Sequence, residues 1–164
     1  MTGRQQPHTD PTAIVQAALD ALGLEIRVRR FEVPTSTAEE AAVAVGCELG
    51  AIVKSLCFEV GGRPVLVLVA GDRQVDTKAL RRIFGVSKRK VRIARPALVE
   101  EATGFAVGGV PPLGHVHPLP ILVDGSLSRF ETVYAAAGSA NSLFPIRYTT
   151  LIGVTGGEVH DLTE

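Results

Sequence analysis

The sequence predicts a single α+β domain with a mixed, mostly antiparallel sheet and surrounding helices. Three observations lead to this class. The 164 residues are 46% hydrophobic and 21% charged, which is typical of one globular domain with a buried core. A Gly61-Gly62 pair separates two apolar runs, as in a tight hairpin. The remaining predicted elements mix hairpins with helices instead of alternating strand and helix regularly, which favours a mixed sheet.

The first part of the chain predicts a helix and a strand. We expect residues 1–11, which are mostly polar, to form a flexible N-terminal tail ahead of one domain at residues 12–164. Residues 12–22 space their apolar side chains by three and four, which indicates an amphipathic helix that stops at Gly23. Residues 26–33 mix β-branched side chains with three arginines and predict a partly exposed strand.

A second helix begins with a capping box at Thr37. The Thr37 hydroxyl can accept from the amide three residues on, and the Glu40 side chain can reach back to the Thr37 amide. The helix then continues to Gly46, which is a typical C-terminal stop.

The middle of the chain predicts a hairpin followed by a basic region. Residues 53–60 and 64–70 form the hairpin, and the second strand is apolar on both faces, so it should lie in the centre of the sheet. Residues 76–84 predict a helix with a basic face, residues 90–94 a short strand, and residues 96–103 another short helix.

A loop system dominates the last third. Residues 104–126 contain five Gly and four Pro, and within them residues 121–123 predict a short strand. Residues 132–137 predict a further strand, and residues 148–152 the start of a final helix. The chain after Ala140 otherwise carries no pattern that we assign.

Charge is distributed unevenly although its total is zero. The segment 73–95 carries nine basic residues and a single acid, Asp76, so its charge is +8 and that of the remaining residues is −8. Clustered positive charge attracts phosphate groups, which indicates a nucleic-acid surface. A solvated face of a helix and a strand is the alternative interpretation.

Several classes of protein are excluded or disfavoured. The sequence contains no Gly-x-Ser-x-Gly elbow, phosphate loop, His-Glu-x-x-His motif or dinucleotide glycine pattern. His115 and His117 share one face if extended, but without a nearby third ligand we expect loop histidines and no metal. We expect Cys47 and Cys57 to be buried free thiols rather than nucleophiles. No organic cofactor is expected.

Nothing in the sequence predicts a membrane segment. The longest apolar runs, such as residues 65–70, are far below the roughly 18 residues that span a bilayer. The polar N-terminus has no secretory signal. We therefore expect a cytoplasmic protein, monomeric or homodimeric, with no membrane partner.

Three features are candidates for binding or chemistry. In residues 104–114, adjacent glycines followed by rigid prolines can present backbone amides to an oxyanion, although a tight surface loop is the alternative. Lys54 begins an otherwise apolar strand, so its ammonium either reaches solvent or anchors an anionic or hydroxylated ligand. Asp124 ends an apolar strand, where it either caps a turn or meets a substrate ammonium.

These features occur in a characteristic order between residues 25 and 155. The order is Thr37-Ala-Glu-Glu-Ala-Ala42, Val53-Lys-Ser-Leu56, the strand before Gly71, Thr103-Gly104 with Gly108-Gly-Val-Pro-Pro-Leu-Gly114, and Pro118-Leu-Pro with Asp124. Taken as a set, they resemble the YbaK/ProX aminoacyl-tRNA deacylases, which are similar to the editing insertion domain of bacterial prolyl-tRNA synthetases.

The resemblance implies hydrolysis of the ester that joins a wrong amino acid to tRNA, with cysteine or alanine on proline tRNA as the expected substrate. Lys54 would hold the terminal ribose and phosphate, and amides around Gly108 and Gly109 would polarise the ester carbonyl. The substrate's own hydroxyl or thiol, or a positioned water, would replace a general base. Asp124 would either hold the loop or receive the α-ammonium.

The resemblance also implies the remaining site residues. Those expected to contact the substrate are Thr37, Ser55, Val110, Pro111 and Gly138. Those expected to contact the acceptor end of tRNA are Arg81, Arg82, Lys88, Arg89 and Lys90.

Two other classes stay open at this point. The cleft could belong to a non-catalytic module that binds tRNA ends or an amino-acid-like ligand, or to an accessory protein recruited by a synthetase, with prolyl-tRNA synthetase as the candidate partner. A hydrolase with a metal held by His115 and His117 is a third, weaker hypothesis.

Overall fold

The computed structural model describes residues 10–164. In these residues the chain forms five α-helices, which are α1 (Pro11–Ala21), α2 (Ala38–Val45), α3 (Thr77–Phe84), α4 (Pro96–Thr103) and α5 (Tyr148–Thr155). The strands are β1 (Arg29–Arg30), β2 (Ile52–Val60), β3 (Arg63–Ala70), β4 (Val91–Ile93), β5 (Ile121–Asp124), β6 (Thr132–Ala136), β7 (Ser142–Arg147) and β8 (Glu158–His160). Short 3-10 turns occupy Leu49–Ala51, Lys88–Lys90 and Gly125–Arg129.

The eight strands form one mixed sheet in the order β1-β7-β6-β2-β3-β5-β8, with β4 also paired to β2. The β2–β3, β2–β4, β6–β7 and β1–β7 pairs are antiparallel, whereas the β2–β6, β3–β5 and β5–β8 pairs are parallel. This arrangement confirms the predicted α+β class with a mixed sheet. The hairpin is also confirmed, because Val60 pairs with Arg63 across Gly61 and Gly62, whose φ angles of 58° and 82° suit a tight hairpin turn.

The strand β3 lies at the centre of the sheet and is buried on both faces, as its apolar sequence predicted. Alternate side chains point to opposite faces. Leu66 and Leu68 face a cluster completed by α1, α4, α5 and the loop after α4, whereas Val67 and Val69 face a second cluster formed with α3 and Leu162. Each fully buried side chain of this size contributes about 1.5–3 kcal/mol of transfer free energy.

The predicted extent of the first strand was wrong, and a contact with α1 explains the difference. The strand expected at residues 26–33 is reduced to Arg29–Arg30, because the Gln16 side chain of α1 bonds the Ile26 carbonyl at 2.8 Å and the Val28 amide at 2.8 Å. That stretch is therefore held on α1 instead of in the sheet. The final helix begins at Tyr148, as predicted, and ends at Thr155.

The chain after Ala140, for which no pattern was assigned, contains β7 and β8 on either side of α5. Most of the tail expected at residues 1–11, namely residues 1–9, lies outside the described residues, and Pro11 already begins α1. None of the described helices has both the length and the apolar character required to cross a membrane.

Candidate functional site

A gap along the outer edge of β2 forms a cleft. The strand β6 pairs only with Ile52 and Val53, and β4 pairs only with residues 58–60. Between these two partners, residues 54–56 of β2 have β3 on one side and, among the described residues, no strand on the other. Side chains from both faces of the sheet can therefore reach the same opening.

The peptide groups of Ser55 face this gap. The Cys57 carbonyl accepts from the Ala94 amide at 3.0 Å on the outer edge of β2. Along a strand of an antiparallel pair, successive residues direct their N–H and C=O groups to opposite edges of the strand. Ser55 is two residues from Cys57, so its N–H and C=O point to the same outer edge. The Ser55 N–H and C=O are thus available to a ligand in the cleft.

The cleft has a volume of about 380 Å³. It is bounded by the segment that leads into α2, the first residues of β2, the glycine loop at residues 107–110, and side chains of β6 and β7. Of the predicted site residues, it brings together Thr37, Lys54, Ser55, Gly108 and Val110.

Lys54 carries the positive charge of the cleft. Its ammonium donates a hydrogen bond to the Arg73 carbonyl, which holds the side chain against the loop after β3. Within the described residues Lys54 forms no salt bridge, so its charge is not neutralised by a carboxylate of the chain. An anionic or hydroxylated ligand can therefore compete for an uncompensated cation.

The glycine loop presents a different set of amides from the one predicted. The Gly109 amide donates to the Ala106 carbonyl at 3.1 Å, and the Gly109 carbonyl accepts from Gly138 at 2.9 Å. The Gly109 N–H is therefore occupied by the turn of the loop. The Gly108 and Val110 amides donate to no acceptor within the described residues, so these two N–H groups are the ones that can meet an oxyanion.

Close packing explains why residue 109 is a glycine. A Cβ at this position would lie 2.8 Å from the Ser139 nitrogen and 2.9 Å from the Gly138 carbonyl carbon, which are backbone atoms that cannot move aside freely. At Gly108, where φ is +93°, a Cβ would meet only the Ser36 Cβ at 3.5 Å. Gly109 thus seats the loop, and Gly108 shapes its exposed turn.

Pro111 and Gly138 lie outside the cleft lining, unlike their predicted positions. Pro111 is buried, and its carbonyl lies 2.7 Å from Nε2 of His115. Gly138 has φ +100°, and a Cβ there would lie 2.8 Å from the Pro11 carbonyl oxygen. Both residues support the glycine loop from behind.

Asp124 also lies outside the cleft lining. It is 1% exposed, its Oδ1 accepts from the Leu162 amide at 2.8 Å, and its Oδ2 accepts from the Ser126 amide at 3.1 Å and from the Ser126 hydroxyl. The carboxylate is thus fully used in joining the turn after β5 to the C-terminal segment. Of the two roles expected for Asp124, this geometry supports the one that holds a loop.

The N-terminus of α2 forms part of the rim of the cleft. The predicted capping box is confirmed, with the Thr37 hydroxyl accepting from the Glu40 amide at 3.1 Å and Oε1 of Glu40 accepting from the Thr37 amide at 3.1 Å. The Thr37 side chain is therefore engaged in the cap. The exposed Glu39, which the sequence reasoning missed, adds a carboxylate to the same rim.

Two apolar side chains that line the cleft were also not predicted from the sequence. Val107 is 62% exposed at the tip of the glycine loop, and Leu143 reaches the cleft from β7. The exposed valine beside the glycines was visible in the sequence. Leu143 was not identifiable, because its strand carried no pattern that we had assigned.

The basic residues lie toward the other end of β2. The 3-10 turn Lys88–Lys90 runs directly into Val91, which pairs with Val60. From Lys54 to Val60 the strand rises about 20 Å, at roughly 3.3 Å per residue. Lys88, Arg89, Lys90 and Arg82 are exposed, whereas Arg81 is partly buried and its Nε has no partner among the described residues.

The histidines and cysteines form no metal site in the described part of the chain, where no three or more His, Cys, Asp or Glu side chains gather around a common point. Burial lowers the pKa of His115, which favours its neutral form. Both thiols are free, and burial raises the pKa of Cys57 and of the half-buried Cys47. A higher thiol pKa disfavours the nucleophilic thiolate.

A family model described as the aminoacyl-tRNA editing domain matches residues 32–153. The uncharacterized protein YwhH of Bacillus subtilis is 42% identical over 116 residues, which are 70% of this chain and 72% of YwhH. The protein named "Putative Cys-tRNA(Pro)/Cys-tRNA(Cys) deacylase EbsC" of Enterococcus faecalis is 26% identical over 77% of each chain.

Structural comparison agrees with these matches. A crystal structure described as "a putative trans-editing enzyme for prolyl tRNA synthetase" has a TM-score of 0.88 and 41% identity, and covers 95% of this chain and 98% of that chain. A proline–tRNA ligase of Thermoanaerobacter is 28% identical over 105 residues, which are 64% of this chain and 18% of the ligase. Related domains therefore also occur inside much longer synthetases.

Proposed function

The chain belongs to the aminoacyl-tRNA editing domain family, and we propose that it is a trans-editing deacylase that hydrolyses the ester of wrongly charged proline tRNA. The amino acids removed are cysteine or alanine in this proposal. Editing of this kind is needed because one methylene group changes binding by only about 1–3 kcal/mol, so a synthetase pocket cannot reject small competitors strongly.

The observation that carries the proposal is that one cleft is lined by two kinds of hydrogen-bond donor, a lysine ammonium and backbone amides. Lys54 contributes a cation without a carboxylate partner in the described residues, and the glycine loop contributes the Gly108 and Val110 amides. The 3′ end of a charged tRNA requires both features, because it combines phosphate and ribose with an ester carbonyl that becomes negative during attack.

The reaction follows from these positions. Lys54 holds the terminal ribose and phosphate, while the amides of Gly108 and Val110 donate to the ester carbonyl oxygen. Water adds to the carbonyl carbon, the carbon–oxygen bond to the ribose breaks, and the ribose oxygen leaves with a proton. The products are the free amino acid and uncharged tRNA. The substrate's own hydroxyl or thiol assists the water, so positioning is the main contribution of the protein.

Asp124 is a positioning residue in this scheme. Its carboxylate holds the segment after β5 against the C-terminus, and β5 packs beside β3, which carries the Arg73 loop that receives Lys54. The α-ammonium of the substrate lies closer to the rim residue Glu39, which lines the same cleft as Lys54.

The basic turn Lys88–Lys90, together with Arg82 and Arg81, provides a surface for the tRNA backbone. Its position about 20 Å along β2 from Lys54 suits contact with phosphates beyond the reacting nucleotide. Such contacts set orientation without reading bases. Prolyl-tRNA synthetase is the proposed partner that releases the wrongly charged tRNA.

The test is release of amino acid from a panel of charged tRNAs that includes cysteine and alanine on proline tRNA. We expect wild-type protein to release at least one of these amino acids, and Lys54→Ala to lower its rate by two orders of magnitude or more. Arg27→Ala removes an exposed cation that does not line the cleft and is the matched control. Tight tRNA binding without release from any member would instead support the non-catalytic binding module.

A further inference from the structure

Lys54 depends on one contact for the direction of its side chain. Within the described residues its ammonium donates to the Arg73 carbonyl and to no other acceptor, and no carboxylate pairs with it. The lysine side chain is a flexible four-carbon stem, so its position depends on where that acceptor lies. The place of the cation in the cleft is therefore set by the loop at residues 71–73, which presents the Arg73 carbonyl.

This loop is attached to the segment that leads into β2. The Gly71 amide donates to the Ile52 carbonyl at 2.8 Å. A Cβ at Gly71 would lie 2.4 Å from the Leu49 carbonyl oxygen, so the loop packs directly on the turn before β2. These contacts fix the start of the loop. Asp72, the next residue, carries the side chain that fixes its middle.

The guanidinium of Arg129 holds the Asp72 carboxylate through two parallel hydrogen bonds. Nη1 donates to Oδ2 at 3.0 Å, and Nη2 donates to Oδ1 at 2.7 Å. Arg129 is itself held, because its Nε donates to the Ser126 carbonyl at 2.7 Å and its guanidinium carbon lies 5.2 Å from the Phe130 ring centroid. A bidentate pair of this kind fixes direction as well as distance. The side chains are 37% and 34% exposed, so the pair adds little to stability and acts mainly on the geometry of the loop.

The same pair also contacts the chain just before Lys54. A Cβ at Gly50 would lie 3.0 Å from Nη2 of Arg129, from Oδ2 of Asp72 and from the Phe130 ring, so the pair closes over this glycine. Gly50 belongs to the 3-10 turn that runs into β2. The pair thus contacts both the segment that carries Lys54 and the loop that receives its ammonium. Neither Asp72 nor Arg129 lines the cleft.

We propose that the Asp72–Arg129 pair positions Lys54, by fixing the loop after β3 against the start of β2 and so directing the ammonium into the cleft. This inference rests on the proposed function and adds two positioning residues to it. Without the pair, the Arg73 carbonyl moves and Lys54 samples other rotamers. A misplacement of about 1 Å can cost about 100-fold in rate, so we expect a loss of about tenfold for a cation that is present but less well placed.

The direct measurement follows the lysine side chains by NMR, without substrate. The chain has four lysines, and Lys78, Lys88 and Lys90 are exposed. In protein that contains ¹³C-labelled lysine, we expect the two ε-methylene protons of Lys54 to have separate chemical shifts, as in an immobilised side chain, and those of the exposed lysines to coincide. The signal missing from Lys54→Ala assigns Lys54. In Arg129→Ala the Lys54 protons should coincide as well. Coincident Lys54 protons in wild type, or separate ones retained in Arg129→Ala, would overturn the inference.

A double-mutant cycle adds a second test, with single-turnover release of amino acid from the charged proline tRNA that wild type edits. We expect Arg129→Ala to lower the rate about tenfold while lowering Tm by no more than about 4 °C. In the Lys54→Ala background the same substitution should change the rate by less than about twofold, because a residue that acts through Lys54 has no effect without it. An equal loss in both backgrounds would contradict the positioning role.

Arg147→Ala is the matched control, because it breaks the exposed ion pair with Glu131, and neither residue lines the cleft. It should change neither the Lys54 signals nor the rate. If Arg129→Ala does not fold, Asp72→Asn, which keeps the side-chain volume, is measured in its place. If wild type releases amino acid from no tRNA, the proposed function fails, and the lysine spectra alone then decide whether the pair positions Lys54.

Discussion

Substituting Gly109 by alanine tests whether the glycine loop is seated as the structure describes. The added Cβ would lie 2.8 Å from the Ser139 nitrogen and 2.9 Å from the Gly138 carbonyl carbon. Overpacking of this kind costs about 1–3 kcal/mol. If the loop shifts to relieve the clash, the 2.9 Å hydrogen bond from Gly138 to the Gly109 carbonyl is also lost, at about 1 kcal/mol.

Together these effects predict destabilisation by roughly 2–4 kcal/mol. For a chain of 164 residues, each kcal/mol lowers Tm by about 2–4 °C, so the expected decrease is roughly 4–16 °C. The assay is thermal unfolding followed by circular dichroism. Deacylation measured well below Tm should also fall, because the shifted loop moves the Gly108 and Val110 amides.

Gly153→Ala is the matched control for this prediction. Gly153 lies in α5, and a Cβ there has no neighbour within 4 Å. Alanine is a better helix former by about 0.8–1.0 kcal/mol, so this variant should be slightly more stable than wild type. An unchanged Tm for Gly109→Ala, with Gly153→Ala behaving as expected, would refute the close seating of the loop on Ser139.

Three further predictions concern other parts of the molecule. Asp124→Asn replaces a buried carboxylate that accepts at least three hydrogen bonds, so a urea melt should show about 2–4 kcal/mol of lost stability, and a shift below 1 kcal/mol would contradict that role. Replacing all three residues of Lys88–Lys90 by alanine should reduce the slope of log K for tRNA against log salt by roughly 2–3, whereas an unchanged slope would exclude phosphate contacts there. Arg129 donates a hydrogen bond to Asp72 at 2.7 Å, which lowers the pKa of the Asp72 carboxyl. The ion pair therefore stabilises the fold above about pH 4, and this stabilisation is lost as the pH falls through the lowered pKa. Arg129→Ala should therefore cost at most about 1 kcal/mol at neutral pH, and its Tm deficit should close in acid; a deficit independent of pH would argue against the ion pair.

Local features of the fold were predictable because their causes lie within a few residues. The Thr37 capping box joins groups three residues apart, and the Gly61-Gly62 turn needs only backbone freedom at two adjacent positions. The apolar character of β3 on both faces similarly indicated its central position. The capping box and the turn depend on residues that are neighbours in sequence. The position of β3 follows from the apolar side chains along one short segment.

The missed elements depended on partners far along the chain. Residues 26–28 read as a strand, but hydrogen bonds from Gln16 hold them on α1. The strand β7 has Pro145 in its interior and runs directly into α5, so neither alternation nor a turn signal marked it. It forms because β6 and β1 offer edges on both sides.

The candidate site was predicted in part. Lys54 and the glycine loop were recognisable as unusual residues in their surroundings, and the structure brings both to one cleft. Which loop amides are available was not predictable, because the Gly109 amide is occupied by Ala106. The role of Asp124 likewise depended on Leu162, which lies 38 residues away.

Patterns along the chain were enough to identify the class of the fold, the family, the helix caps and the residue types available for binding an anionic end. The positions at which these groups meet depend on how distant segments pack. The cleft exists because β6 and β4 pair with different parts of β2 and leave residues 54–56 open between them. Strand register between distant segments is set by the packing of the whole core, and no local pattern contains that information.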